Sequence, residues 1–91
     1  MKRVHLIIGG IVQGVGFRAW TRRTALKLKL TGCVKNREDD TVEIVAEGPG
    51  EAIKKFVKRI NAGPPSSWVQ YVKADWQDYI KEFDNFSIFR R

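Results

Sequence analysis

The apolar positions of this chain switch between two periods. Val4, Leu6 and Ile8 alternate with His5 and Ile7, the two-residue period of a strand that ends near Val12. From about Arg18 to Leu28 the spacing lengthens. Phe17, Thr21, Thr24 or Ala25, and Leu28 recur three and four apart, which predicts a helix burying these residues and turning Arg22, Arg23 and Lys27 largely outward. Gly32 to Asn36 reads as a second strand, and Glu38-Asp39-Asp40 as a tight turn. Thr41 to Glu47 is a third strand, with Val42, Ile44 and Ala46 alternating against Thr41, Glu43 and Val45. Gly48-Pro49-Gly50 opens a second helix whose apolar stripe is Ile53, Phe56, Val57 and Ile60, with Lys54, Lys55, Lys58 and Arg59 on its solvent side. Gly63-Pro64-Pro65 ends it. Trp68 to Trp76 is a fourth strand, Asp78 to Asn85 a polar connection, and Phe86 to Phe89 a short final strand.

The order β-α-β-β-α-β with a trailing strand predicts an α+β, ferredoxin-like α/β sandwich: two helices on one face of an antiparallel sheet. Ninety-one residues are expected to form one domain, 1–91, with a single modest core. The fold hosts many functions and selects none. The first apolar run is interrupted by His5, Gly9 and Gly10, with no small-residue cleavage site after it, so it reads as a strand and not a leader. No stretch is long enough to span a membrane. A lone cysteine, Cys33, forms no internal disulfide; it fits a reducing cytoplasm and the role of a small buried hydrophobe. A monomer is the simplest expectation. Trp68, Tyr71, Trp76 and Tyr79 are assigned first to core and sheet-surface packing, and second to an interaction surface.

Charge sharpens this picture. The net charge is +7, but residues 1–37 hold nine Lys or Arg and no Asp or Glu. All ten acids follow from Glu38 onward, against eight bases. A positive half concentrates anions on itself, which leaves nucleic acid and small phosphorylated molecules as candidate partners. Inside that half lies Val12-Gln13-Gly14-Val15-Gly16-Phe17-Arg18. Glycines let backbone N–H groups turn inward, a helix start adds unpaired N–H groups, and an arginine follows. Together they can cradle a phosphate-sized anion. The same spacing also suits an ordinary strand-to-helix turn.

Other chemistry is sparse. His5 and Cys33 have no partners at metal-ligand spacing, no Ser/His/Asp set can be assembled without His5, and Asp39 and Asp40 shape a turn. Asn36 ends the second strand, where it either lies beside the glycine loop or starts the turn at Glu38. An arginine, a nest of N–H groups and an amide supply no general base and no nucleophile. They can hold a phosphoryl group, spread its charge and orient a water, which suffices when the leaving group is already good. A carboxyl-phosphate expels a carboxylate, so activated mixed anhydrides fit better than phosphate monoesters.

Gly10-Ile11-Val12-Gln13-Gly14-Val15-Gly16-Phe17-Arg18, Gly32-Cys33-Val34-Lys35-Asn36, Val42-Glu43-Ile44-Val45-Ala46-Glu47-Gly48-Pro49 and Gly63-Pro64-Pro65 together closely resemble the acylphosphatase family. The resemblance implies metal-free, cofactor-free hydrolysis of acyl phosphates to carboxylate and phosphate. It implies that Arg18 binds the phosphoryl group with backbone N–H groups of Gln13, Gly14, Val15, Gly16, Phe17 and Arg18, and that Asn36 orients the attacking water. Four residues depart from the family pattern. Lys29 and Asp40 stand where glycine is common, at a cost of about 1 kcal/mol if φ is positive. Cys33 replaces a common aromatic, and Ile11 a polar or basic residue. Two other readings stand beside the enzyme. One is a phosphate-binding module with little turnover, as in the acylphosphatase-like domain of larger carbamoyl-phosphate-processing proteins. The other is an RNA-binding domain, set back by Glu43 and Glu47 on the third strand. The expected ligands are therefore a small acyl phosphate and phosphate, with no nucleic acid and no membrane.

Overall fold

A computed structural model describes residues 1–89. Its elements are β1 (Lys2–Ile11), α1 (Phe17–Lys27), β2 (Thr31–Asn36), β3 (Val42–Gly48), α2 (Gly50–Ala62), β4 (Trp68–Gln77) and β5 (Phe86–Ile88). The strands form one sheet in the order β4-β1-β3-β2-β5. The two-residue alternation sets which face each strand buries. Val4, Leu6 and Ile8 of β1, Val34 of β2, and Val42, Ile44 and Ala46 of β3 are fully enclosed. They pack with Phe17 and Ala25 of α1 and Ile53, Phe56 and Ile60 of α2. Each such large apolar side chain contributes about 1.5–3 kcal/mol on burial. The opposite face of the sheet carries the odd-numbered residues of β1 and β3.

The four strands β4-β1-β3-β2 pair antiparallel, as expected, but β5 runs parallel to β2. The reason is the route of the chain. Leaving β4 at one edge, residues 78–85 cross the open face of the sheet before β5 joins the far edge. Glu47 holds that crossing in place: its carboxylate accepts the backbone N–H of Ile80 (3.1 Å) and of Glu82 (2.9 Å). Arg3 donates to Glu47 at 3.1 Å, pairs with Glu82 at 2.7 Å, and lies over the Phe83 ring. Glu47 is thus sealed at 1% exposure and shows no charge to the surface, which removes it as an obstacle to polyanions. Glu43 stays on the open face, matched by His5 at 2.5 Å and Lys35 at 3.4 Å. Burial works against its ionised form, yet the His5 hydrogen bond and the Lys35 charge hold its carboxyl below the ordinary range.

The aromatic cluster does not join the core. Trp68, Tyr71 and Trp76 are 56%, 39% and 48% exposed, because β4 is an edge strand. Tyr71 has the expected sheet-surface role, its ring covering Gly9 on the neighbouring strand, and Tyr79, beyond β4, is half-buried. Both departures from glycine do have positive φ, 58° at Lys29 and 69° at Asp40. Lys29 closes α1: its N–H bonds Leu26 O at 3.0 Å and the Leu30 N–H bonds Ala25 O at 3.0 Å, the paired bonds of a left-handed C-terminal cap.

Candidate active site

Residues 12–16 carry the chain from β1 into α1. Gly14 and Gly16 have φ of 74° and 76°, and a Cβ at either would meet nothing within 4 Å. They are needed for backbone conformation, not for space. Gly16 is also the N-cap of α1. It offers no side-chain cap, and the first turn has no acidic residue, so no side chain satisfies the N–H groups there.

Three ties fix the loop. Val12 and Phe17 are buried at its ends, each 1% exposed. The Gln13 amide donates to the carbonyls of Arg37 (2.9 Å) and Thr41 (2.8 Å), clamping the loop to the β2–β3 hairpin. The Ser66 hydroxyl donates to Val15 O at 2.8 Å. Gln13 was expected through its backbone alone; its side chain does something else, which is to fasten the loop beside Asn36. Nothing in the sequence around Gln13 or Ser66 signals this, because their partners lie far along the chain.

Asn36 resolves to the loop side. It shares the face of Val34, so it points toward the helix layer and lines one cleft of about 210 Å³ with Val12, Gly14, Gly16, Phe17, Arg18, Ala19 and Ile88. Its Oδ1 is buried with no hydrogen-bond partner among the described residues. The Arg18 guanidinium donates to the carbonyl of Phe89 at 3.2 Å and meets no carboxylate within 4 Å among the described residues. Val15 and Gln13 of the expected set do not line the cleft, whereas Ile88 and Ala19 do. Ile88 arrives there only because β5 pairs beside β2. The hairpin next to Asn36 is shaped by Asp39, which accepts both the N–H (3.2 Å) and the hydroxyl (2.5 Å) of Thr41. Those bonds hold the Asp39 carboxyl below its usual range. Cys33 is buried, and burial pushes its thiol up, away from the reactive thiolate.

The acylphosphatase family model matches residues 4–88. This chain belongs to the acylphosphatase family. An acylphosphatase of Pelotomaculum thermopropionicum is 48% identical over 86 residues, covering 94% of each chain. The crystal structure of the Bacillus subtilis acylphosphatase superposes with a TM-score of 0.95 at 41% identity, covering 99% of this chain and all of that one. HypF from T. kodakarensis is similar over the whole of this chain but only 12% of its own length, with a TM-score of 0.85 and 33% identity. The family is one of hydrolases acting on small acyl phosphates, and the ferredoxin-like α+β fold agrees with it. No helix among the described residues is long and apolar enough to cross a membrane.

Proposed function

We propose that this acylphosphatase cleaves the carboxyl–phosphate bond of acyl phosphates through Arg18, the backbone of the Gln13–Arg18 loop and Asn36. The observation that carries the reading is the shared cleft, which among the described residues holds a guanidinium with no carboxylate within 4 Å, two left-handed glycines, an uncapped helix start, and a buried amide oxygen with no donor. Arg18 and the loop N–H groups neutralise the phosphoryl oxygens. Asn36 Oδ1 accepts an O–H of the attacking water and aims its oxygen at phosphorus. As the new P–O bond forms, the bond to the acyl oxygen breaks and the electron pair leaves with the carboxylate. The water proton ends on phosphate. With a carboxylate as leaving group, no general acid is required. The positive first turn of α1 and the guanidinium together supply the charge stabilisation on which such a loose transition state depends.

The reading places the enzyme in the cytoplasm as one acylphosphatase-like domain over residues 1–91. Its ligands are acyl phosphate and phosphate, with no cofactor, metal or nucleic acid involved. One copy of the chain carries every site residue. The test is hydrolysis of an aryl acyl phosphate in the presence of a chelator. Arg18→Ala is expected to lose at least about a thousandfold in rate and its inhibition by phosphate. An Arg18→Ala variant with wild-type turnover overturns the phosphate-binding role. A wild type that binds phosphate yet does not turn over supports the module reading instead.

A further inference from the structure

The connection between α2 and β4 is built to be stiff. Gly63 caps α2 with φ of 69°, and a Cβ there would strike Ser67 Oγ at 2.6 Å and Val69 Cγ2 at 2.8 Å, so the chain is packed tightly at that point. Pro64 is buried, and the ring of Pro65 fixes its φ. A turn then closes on Pro64, whose carbonyl accepts the Ser67 N–H at 3.0 Å and the Ser67 hydroxyl at 2.8 Å. Pro65 and Ser66 are the two central residues of that turn, and both are exposed. From there the Ser66 hydroxyl donates to the Val15 carbonyl at 2.8 Å. A residue at the tip of a rigid turn thus holds one carbonyl of the glycine loop.

We infer, on the reading that this loop's N–H groups bind the phosphoryl group, that Ser66 is a positioning residue for hydrolysis: by holding the Val15 carbonyl it fixes the Val15–Gly16 peptide with the Gly16 N–H aimed into the cleft. In a planar trans peptide the carbonyl and the following N–H point in opposite directions. Ser66 precedes β4, which pairs with β1 on the side away from β3, β2 and β5. Asn36 and Ile88 end β2 and β5, on the other side of the loop. A carbonyl drawn toward Ser66 therefore turns the Gly16 N–H toward Asn36 and Ile88. The lining of the cleft agrees, since it includes Gly16 and leaves out Val15. The Gly16 N–H donates to no acceptor among the described residues, whereas the Gly16 carbonyl already accepts the Trp20 N–H at 3.1 Å.

The glycines make such a lock necessary. A peptide flips when the ψ before it and the φ after it change together, and here the second angle belongs to Gly16, at 76°. Glycine populates positive and negative φ about equally, so turning this N–H away from the cleft meets no Cβ penalty. The Gln13 clamp acts through a side chain two residues earlier and leaves the Val15–Gly16 peptide free to turn. The Ser66 bond opposes that rotation directly. A donor already aimed binds and stabilises developing charge better than one the ligand must first order.

The test compares wild type, Ser66→Ala and Ser66→Thr. It measures hydrolysis of an aryl acyl phosphate, inhibition by inorganic phosphate, the thermal midpoint, and the backbone amide spectrum during titration with inorganic phosphate. The wild-type Gly16 amide is expected to shift on titration. Ser66→Ala is expected to lose about tenfold in both kcat/KM and phosphate affinity, with a diminished Gly16 shift. Its thermal midpoint should stay close to that of the wild type, because Ser66 is exposed. Ser66→Thr keeps the hydroxyl and is expected to recover rate, inhibition and shift together. If the wild-type Gly16 amide responds to phosphate and Ser66→Ala keeps wild-type turnover and inhibition, the role of Ser66 is overturned and the cradle stands. A loss of rate that merely tracks a falling thermal midpoint, or that Ser66→Thr shares in full, also overturns it. A wild-type Gly16 amide unmoved at saturating phosphate overturns the cradle reading of this peptide, and the positioning role with it.

Discussion

Asn36 and Glu47 are two buried acceptors on neighbouring strands of one sheet, and they are treated in opposite ways. Glu47 lies one residue from the end of its strand, under the crossing segment, where two backbone N–H groups and Arg3 saturate its carboxylate. Asn36 ends its strand beside the glycine loop, and its Oδ1 finds no donor among the described residues. Leaving a buried acceptor unpaired costs about 1–3 kcal/mol. On the proposed mechanism the donor to this amide oxygen is the attacking water, which comes from outside the fold. The Thr21 hydroxyl in the core is also unpaired among the described residues; what sets Asn36 apart is that its free oxygen lines the same cleft as Arg18 and the glycine loop.

That contrast is breakable. Asn36→Ala removes an acceptor that no described residue uses, so hydrolysis is expected to fall by about a hundred- to a thousandfold, while stability changes by less than about 1 kcal/mol. Urea unfolding beside initial-rate kinetics reads both, and a large stability loss with normal turnover would erase the distinction. Glu47→Gln is expected to do the reverse. The amide cannot accept from Ile80, Glu82 and Arg3 together, and Arg3 loses a partly buried partner. Unfolding free energy should drop by about 2–3 kcal/mol, with turnover of the folded protein nearly preserved.

A pH series sharpens the same point. Burial alone raises the Glu47 carboxyl, but the Ile80 N–H, Arg3 and the Glu82 N–H outweigh it and hold it below the ordinary range. A depressed folded pKa contributes stability that is whole above the unfolded value, about 4.3, and is lost as pH falls through the folded value. The urea midpoint of the wild type should therefore fall on acidification below that point, and the fall should be shallower in Glu47→Gln. The smallest effect is at the end of α1. Lys29→Gly relieves a left-handed lysine and is expected to stabilise by about 0.5–1 kcal/mol, without altering phosphate inhibition; equal or lower stability would mean that the cap tolerates lysine without strain.

Much of this site could be read in advance because its signals are local. The glycines at 14 and 16 answer to backbone geometry, the helix start to periodicity, and Arg18 to its place just after them. The face of Asn36 also follows from counting by two from Val34, once that strand is known to bury Val34. Less legible were the parts that depend on a distant partner. The Gln13 clamp, the Ser66 tie and the Phe89 carbonyl beneath Arg18 each join residues 24, 51 or 71 positions apart. The aromatic run on β4 was assigned to packing because hydrophobicity says how much a residue gains from cover, and not whether its strand sits at an edge.

Sequence alone determined the alternation of elements, the buried stripes of β1, α1, β3 and α2, the acid-free half, and the glycine loop and arginine on which the proposed phosphate cradle rests. These rest on period, backbone freedom and charge, which are properties of neighbours along the chain. Tertiary structure decided the rest. It ran residues 78–85 across the open face, turned Glu47 from a surface acid into an internal anchor, and set β5 parallel beside β2. It also brought Asn36 and Arg18 to one cleft and left the edge of β4 uncovered. Those outcomes depend on which strands meet, and pairing is settled by the cooperative burial of a whole core, which no short stretch of the chain encodes by itself.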